Sequence, residues 1–423
     1  MAAPLPVPPS RLGPRPLPLH LLSCWNFYLS SLPASLLWSN GWPILKGLLP
    51  PPAPPPLVPF PNPLGGLTPG AGASEALDPL AFVQAVEQAG RRRLSAFLTG
   101  VQRYQGHDYR RDLPDPPVIA RWGDVRLLDY GAPGAAEGPV LLCVPSLINR
   151  AYILDLTHER SFLRWLAGQG VRPLLLDWGT PVGEAADFTL TDYIEGPLFD
   201  ALALASARSG GAVGLLGYCM GGLLALAAAQ RHPTLVSHLL LLATPWDFHS
   251  DAAQARRLAA GLPSLLQVID RQNGLPIDVI QTLFAALDPL QIARKFEAFS
   301  RLAPDSAAAR AFVALEDWLN DGVPLAAPVA RECLSGWYRD NAPPLGRWRI
   351  AGRAVRAEAV TVPTLALIPE GDRIVPPASA RALVEAVPGA AMHTVPLGHI
   401  GMMVGGRAPA QVWEPIRAFL MGK

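Results

Sequence analysis

The sequence predicts an α/β fold, a mostly parallel central sheet with helices on both faces, and three observations predict it. From Val140 onward, short apolar runs alternate with stretches of helical periodicity, the pattern of parallel strands joined by crossover helices. Within that alternation, GAVGLLGYCMGGLLALAAAQ (Gly211 to Gln230) reads as a strand over Ala212 to Leu216, a sharp turn, and a helix rich in Ala and Leu. The interval from about Phe248 to Gly352 has no strand pattern but several amphipathic helical pieces, such as Ile277 to Ala286 and Ala309 to Leu319, and reads as a helical insertion.

In chain order, residues 1–75 form a leader dense in proline, with runs at Pro50-Pro51-Pro52 and Pro54-Pro55-Pro56 that favour extended polyproline II over a packed core. Leu19 to Leu45 inside it is apolar and free of charge, with Trp25, Phe27, Tyr28, Trp38 and Trp42 as candidate anchors for a surface or partner. Pro33 and Pro43 interrupt this piece, so no transmembrane span is expected, and the scarce early charges make a poor signal peptide. Residues 76–117 form a helical N-terminal segment: Ser74 to Tyr104 carries a helical apolar stripe, closed by Pro114, Pro116 and Pro117. Residues 118–423 form the predicted catalytic domain. It starts with a hairpin, Val118 to Trp122 and Val125 to Tyr130 around Gly123-Asp124. Strands follow at Val140 to Val144, Pro173 to Leu176, Ala212 to Leu216, Leu239 to Ala243, Thr364 to Ile368 and Ala391 to Val395. Helices are expected over Phe162 to Ala167, Asp192 to Ala205, Ala378 to Val387 and Pro409 to Leu420. The insertion at about 248–352 would cap the sheet's site.

Composition narrows the function. A net charge of +1 and the lack of a basic stripe argue against nucleic acid. Four cysteines (Cys24, Cys143, Cys219, Cys333) lie far apart without CxxC spacing, so neither a metal site nor a disulfide framework is indicated. That usage suits a reducing cytoplasm, where a free thiol survives.

The chemistry centres on Cys219. Strand, Gly-flanked turn and helix form the nucleophile elbow of the α/β-hydrolase fold, with a cysteine in the serine position of G-x-S-x-G. Gly217 and Gly221 leave room around a strained residue, and the helix start behind it favours a thiolate and an oxyanion. In this fold an acid and then a histidine follow the nucleophile. Asp372 stands just past the strand Thr364 to Ile368, and His399 follows the last strand, 27 residues later. Glu370 neighbours the acid, but Gly371 frees the chain to present Asp372. Asp247 is the second choice of acid and otherwise a cleft residue. Asp177 precedes the nucleophile, the wrong order. His393 reads as a strand histidine, His249 as a residue at the start of the cap, and His158 and His232 as surface positions. One oxyanion donor would be the N–H of Met220. The other would come from Pro145-Ser146-Leu147-Ile148-Asn149, with Leu147 and Asn149 as candidates.

With these segments in view, the chain resembles the polyhydroxyalkanoate (poly-β-hydroxybutyrate) synthase family. The matching stretches are VPSLINRAYILDL (Val144 to Leu156), LLLDWGTP (Leu174 to Pro181), LTDYIEG (Leu190 to Gly196), GYCMGG, ATPWDFH (Ala243 to His249), GDRIVPP (Gly371 to Pro377) and GHIGMMVG (Gly398 to Gly405). The resemblance implies Cys219 as acyl-carrying nucleophile, His399 as base and Asp372 as third member. It implies (R)-3-hydroxyacyl-CoA, typically 3-hydroxybutyryl-CoA, as substrate and a polyester granule in the cytoplasm as product and location. It implies a homodimer, and no cofactor beyond the CoA released. The core has the length of class III enzymes, which work with a separate helical partner subunit but lack such a leader. The roughly 115 residues before the matched region are Pro-rich and shorter than the N-terminal domain of class I enzymes. Leu223 replaces the family's usual threonine after the paired glycines, a packing change. A hydrolase (thioesterase or intracellular polyester depolymerase) would use the same parts, and a non-catalytic granule protein is the third reading.

Overall fold

A computed structural model describes residues 11–39, 79–131 and 138–422. These fall into two compact units, one containing His107–Asp288, Ala303–Lys423 and the stretch 11–16, the other Leu17–Gly106 with Pro289–Leu302.

The first unit holds an eight-stranded sheet. Its strands are β1 (Val118–Trp122), β2 (Val125–Asp129), β3 (Val140–Val144), β4 (Arg172–Asp177), β5 (Val213–Tyr218), β6 (Val236–Leu242), β7 (Thr364–Pro369) and β8 (Ala391–Val395). Their order across the sheet is β1-β2-β4-β3-β5-β6-β7-β8. β2 pairs antiparallel with β1 and β4, and every pairing from β4 to β8 is parallel. Every residue of β3, β5 and β7 is buried, which explains their unbroken apolar runs: a strand covered on both faces has no solvent side to alternate with. Period two then deals neighbouring residues to opposite cores. Leu142, Leu215, Leu239 and Leu241 face one cluster, which includes the helices Phe199–Ser209 and Met220–Arg231. Cys143, Leu216, Leu240 and Leu242 face the other, with Phe162, Leu166, Trp413 and Ile416.

The structure corrects three expectations. The helix read over Asp192 to Ala205 is broken. A short helix, Leu190–Tyr193, carries a capping box of Thr189 and Asp192, and the chain kinks at Gly196 (φ −99°, ψ −107°) before Phe199–Ser209 begins. Pro197 explains the break, since it offers no N–H and its ring crowds the preceding turn. Next, β5 runs through Tyr218, two residues beyond the expected end, so the turn at the elbow is tighter than the sequence suggested. Finally, Leu17–Ser39 is one helix with Pro33 inside it, where an interruption was expected. Among the described residues no helix is long and apolar enough to cross a membrane.

Most of the interval read as a cap belongs to this first unit. It consists of the helices Ala252–Gln272, Ile277–Ala285 and Ala307–Asn320, then Ala327–Arg331 running into a wide turn, Glu332–Arg339. A two-residue pairing of Gly274–Leu275 with Leu325–Ala326 closes it on itself.

In the second unit Leu17–Ser39 packs on Pro79–Gln105, which packs in turn on Gln291–Phe299. Gly100 allows the last contact, because a Cβ there would lie 2.2 Å from the Phe296 carbonyl oxygen. Phe97 and Tyr104 meet the Phe296 ring edge-on at 6.2 and 5.7 Å between centroids. Leu22, Trp25, Phe27 and Leu29 leave their side chains exposed on the first helix, whereas Tyr28 is half-buried. The Trp38 side chain, Trp42 and the proline runs at 50–56 lie outside the described residues.

Candidate active site

Cys219 sits between the end of β5 and the helix Met220–Arg231, with φ 58° and ψ −127°. An L-residue rarely adopts that conformation, so the turn is held from outside. Three features hold it. The Cys219 amide donates to the Leu242 carbonyl at 2.8 Å, the Gly222 amide donates back to the Cys219 carbonyl at 2.9 Å, and three glycines permit the crowding. A Cβ on Gly217 would lie 2.4 Å from Gly222 Cα, one on Gly221 2.2 Å from the Val144 carbonyl oxygen, and one on Gly222 1.9 Å from Thr244 Oγ1. The thiol emerges half-buried at the junction of the two core clusters. Behind it Met220 is the first helical residue, so its N–H has no intrahelical acceptor.

Asp372 and His399 converge on this point from the C-terminal ends of β7 and β8. His399 Nδ1 donates to Asp372 Oδ2 at 2.6 Å, and Asp372 Oδ1 accepts the amides of Ile374 and Val375 at 2.8 and 2.9 Å. The carboxylate is therefore fixed by its own loop before it fixes the imidazole. Gly371 sets that loop, its amide donating to the Leu397 carbonyl at 2.8 Å. His399 also interacts with the Cys219 side chain. Burial is the largest influence on His399 and opposes its charge. The Cys219 sulfur and the hydrogen bond to Asp372 outweigh it and raise the imidazole to about 10.

The loop after β3 lies against the elbow. Pro145 O accepts the Trp178 indole N–H at 3.0 Å, Ser146 Oγ accepts the Ile148 amide at 3.2 Å, and Leu147 is buried in the core. The carbonyls of Val144 and Pro145 crowd Gly221, so this loop stands directly beside the nucleophile. Asn149 is half-buried and forms a bridge to Gly322.

The comparisons with known proteins fit this geometry. Residues 207–406 match the model of the alpha/beta hydrolase fold. The chain is 30% identical over 325 residues to the poly(3-hydroxyalkanoate) polymerase subunit PhaC of Synechocystis, covering 74% of this chain and 86% of that one. The PhaC subunit of Allochromatium vinosum is 30% identical over 294 residues, covering 69% and 82%. That of Haloferax mediterranei is 29% identical over 306 residues, and this chain spans 62% of its length. The chain belongs to the PhaC family.

The other nominated residues of this PhaC-family chain lie elsewhere. Glu370 is exposed. Asp247 accepts from Asn341 Nδ2 at 2.8 Å and the His249 amide at 2.9 Å, so it organises the start of the inserted region. Asp177 pairs with Arg126 and caps Gly179. His393 faces the Gln411 carbonyl, and His249 the Tyr338 carbonyl. Leu223 is fully buried, as a packing residue should be.

Sequence reasoning missed Tyr218, Tyr338 and Arg150. Tyr218 stacks on the His399 ring (5.3 Å, 28°) and donates its hydroxyl to the His399 carbonyl at 3.0 Å. Burial, then the neighbouring Cys219 and Asp372, push its phenol well up, so it stays a neutral donor. The Tyr338 phenol is likewise pushed up, by burial and then by Cys219 and Cys333. The adjacency of Tyr218 to the elbow cysteine was the available signal. Nothing local marks Tyr338, and Arg150 lies within the matching stretch Val144 to Leu156 with no role of its own read there. Among the described residues no cluster of side chains could hold a metal ion.

Proposed function

We propose that this chain is a polyhydroxyalkanoate synthase, an acyltransferase that carries its growing polyester on Cys219. His399, oriented by Asp372, takes the Cys219 proton. The thiolate attacks the thioester carbonyl of (R)-3-hydroxybutyryl-CoA or a related (R)-3-hydroxyacyl-CoA. The carbonyl oxygen becomes an oxyanion received by the Met220 amide and an amide of the loop holding Leu147. The intermediate collapses, the C–S bond to CoA breaks, and the imidazolium returns the proton to the leaving thiolate. One thioester replaces another, so the acyl group stays activated, whereas a serine would trap it as a stable oxoester. His399 then assists the 3-hydroxyl of the next unit as it attacks the Cys219-bound carbonyl.

What carries the reading is the 2.6 Å His399–Asp372 pair beside a cysteine elbow, in a chain of the PhaC family. Free CoA and polymer from purified protein and 3-hydroxybutyryl-CoA test it. Cys219→Ala abolishes both, while Cys24→Ala, Cys143→Ala and Cys333→Ala keep most of the turnover. Free 3-hydroxybutyrate without polymer would instead assign the chain to the hydrolases.

The same reading includes a homodimer, a requirement for no cofactor, and residence in the cytoplasm at the granule surface. The apolar side chains Leu22, Trp25, Phe27 and Leu29, exposed on a helix with no charged residue, support the last of these. Light scattering checks the dimer, and turnover with and without a helical partner subunit checks whether one is required.

A further inference from the structure

The loop that would supply the second oxyanion donor is tied to the inserted helical region and not only to the sheet. Val323 N–H donates to the Ile148 carbonyl at 3.0 Å, and Asn149 pairs with Gly322 in an isolated antiparallel bridge. Trp318 Nε1 donates to the Arg150 carbonyl at 2.8 Å. The Arg150 side chain crosses this seam as well. The Arg150 guanidinium donates from Nη1 to the Gly179 carbonyl at 3.2 Å and from Nη2 to Thr180 Oγ1 at 3.1 Å, while its Nε lies 3.6 Å from Asp321 Oδ1. Asp321 also takes a hydrogen bond from the Tyr152 hydroxyl.

We propose that Arg150 is a positioning residue that locks the oxyanion loop after β3 to the loop after β4 and to the Asp321 end of the helical insertion. Closure of the insertion and alignment of the acyl-oxygen donors then become one event. The argument rests on what each partner needs. The Pro145–Asn149 segment is irregular, so its amides point at an acyl oxygen only if something outside the loop fixes them. The Asp321 end of the helix Ala307–Asn320 is tied to this loop through Trp318 and Val323, and is held as well by Gln281 Nε2 on the Leu319 carbonyl and by the Arg15 amide on Asn320 Oδ1. A planar fork with five donors suits a three-way junction, and a lysine's point charge cannot replace it at full strength. For an acyl-enzyme that must meet a hydroxyl before water, such a lock forms the oxyanion pocket only when the insertion is seated.

The inference rests on the synthase reading for its substrate, so the test uses readouts that do not. Acylation of Cys219 is followed by the p-nitrophenol burst from p-nitrophenyl butyrate, and hydrogen–deuterium exchange is read in peptides covering 145–149 and 318–325. In Arg150→Met the burst rate constant should fall by about 10- to 100-fold with the ester's binding constant nearly unchanged, as expected for a misplaced donor. Exchange should rise in both peptides together, and Arg150→Lys should recover part of the rate. Asp321→Ala, which leaves the Arg150 bonds to Gly179 and Thr180 in place, serves if Arg150→Met fails to fold. It should slow the burst and loosen both peptides too. A burst within about twofold of wild type in a folded variant overturns the proposal, as does faster exchange in 318–325 alone. If 3-hydroxybutyryl-CoA yields no polymer while the burst and exchange respond as stated, the synthase reading fails and the lock stands.

Discussion

Gly221→Ala is the most direct test of how the elbow and the oxyanion loop share space. The Cβ it adds would lie 2.2 Å from the Val144 carbonyl oxygen and 2.6 Å from that of Pro145, where ordinary contact begins at 3.4 Å. Relief requires the two backbones to separate by about 1 Å, because both obstacles are main chain and neither can rotate away. Val144 ends a fully buried strand, so the movement falls on the loop from Pro145 onward or on the start of the Met220–Arg231 helix. Either shift pulls one oxyanion donor away from the other. A 1 Å misplacement costs about 100-fold, and loss of one such donor about 100- to 1000-fold in kcat, or roughly 3–4 kcal/mol of transition-state stabilisation. The assay is single-turnover CoA release from 3-hydroxybutyryl-CoA, with a thermal melt to count folded protein. Gly261→Ala is the control: it lies mid-helix with nothing within 4 Å of the added Cβ. Its activity should not change, and its stability should rise by about 0.5–1 kcal/mol. A folded Gly221→Ala protein that turns over within about threefold of wild type would refute the claim that this contact aligns the donors.

Three further outcomes follow from the same geometry. Iodoacetamide at pH 7 should label Cys219 before Cys143 and Cys333, whose thiols burial pushes up, and peptide mass spectrometry reads the order. His399 holds its proton more tightly in the folded chain than an unfolded histidine does. Its stabilising contribution is therefore complete below about pH 6.5 and is lost as pH rises toward about 10. Urea midpoints of wild type minus His399→Gln should shrink across that window, and a difference that grows with pH contradicts the assignment. Asp155→Ala should cost about 3 kcal/mol by urea denaturation, the low end for breaking a buried ion pair. Asp155 is fully buried between Arg111 and Arg164, but the side chains of those arginines are 27% and 30% exposed and can recover some hydration.

How much of this was legible in the sequence depends on the range of the interaction that decides each feature. The strands were readable because a parallel sheet buried on both faces needs continuous apolar runs, and β3, β5 and β7 have them. The elbow was readable because its constraint is local: Gly217, Gly221 and Gly222 stand next to the residue they accommodate. The proximity of Asp372 to His399 was readable through order and strand position, since each follows the C-terminal end of a neighbouring strand. The kink at Gly196-Pro197 was present in the sequence as a Gly-Pro pair, and helical periodicity on either side masked it. Pro33 shows the reverse: a proline marks a weakness in a helix but does not end one that packs against another.

Features set by side chains that cross from one segment to another left no such trace. Arg150 lies in the family-matching stretch Val144 to Leu156, but only the folded chain brings Gly179 and Asp321 to its guanidinium. Yet this is where a family that builds polymer must differ from hydrolases on the same scaffold, since the elbow, the acid and the histidine are common to both. If water and the 3-hydroxyl compete for one thioester on Cys219, the outcome is set by whether the helical insertion is seated when the thioester is attacked. The contacts that tie it to the loop after β3 lie between Ile148 and Val323 and around Arg150, apart from the pair of Asp372 and His399. The choice between polymer and free acid should therefore be sensitive to the seam, and the rate of the first acylation to both.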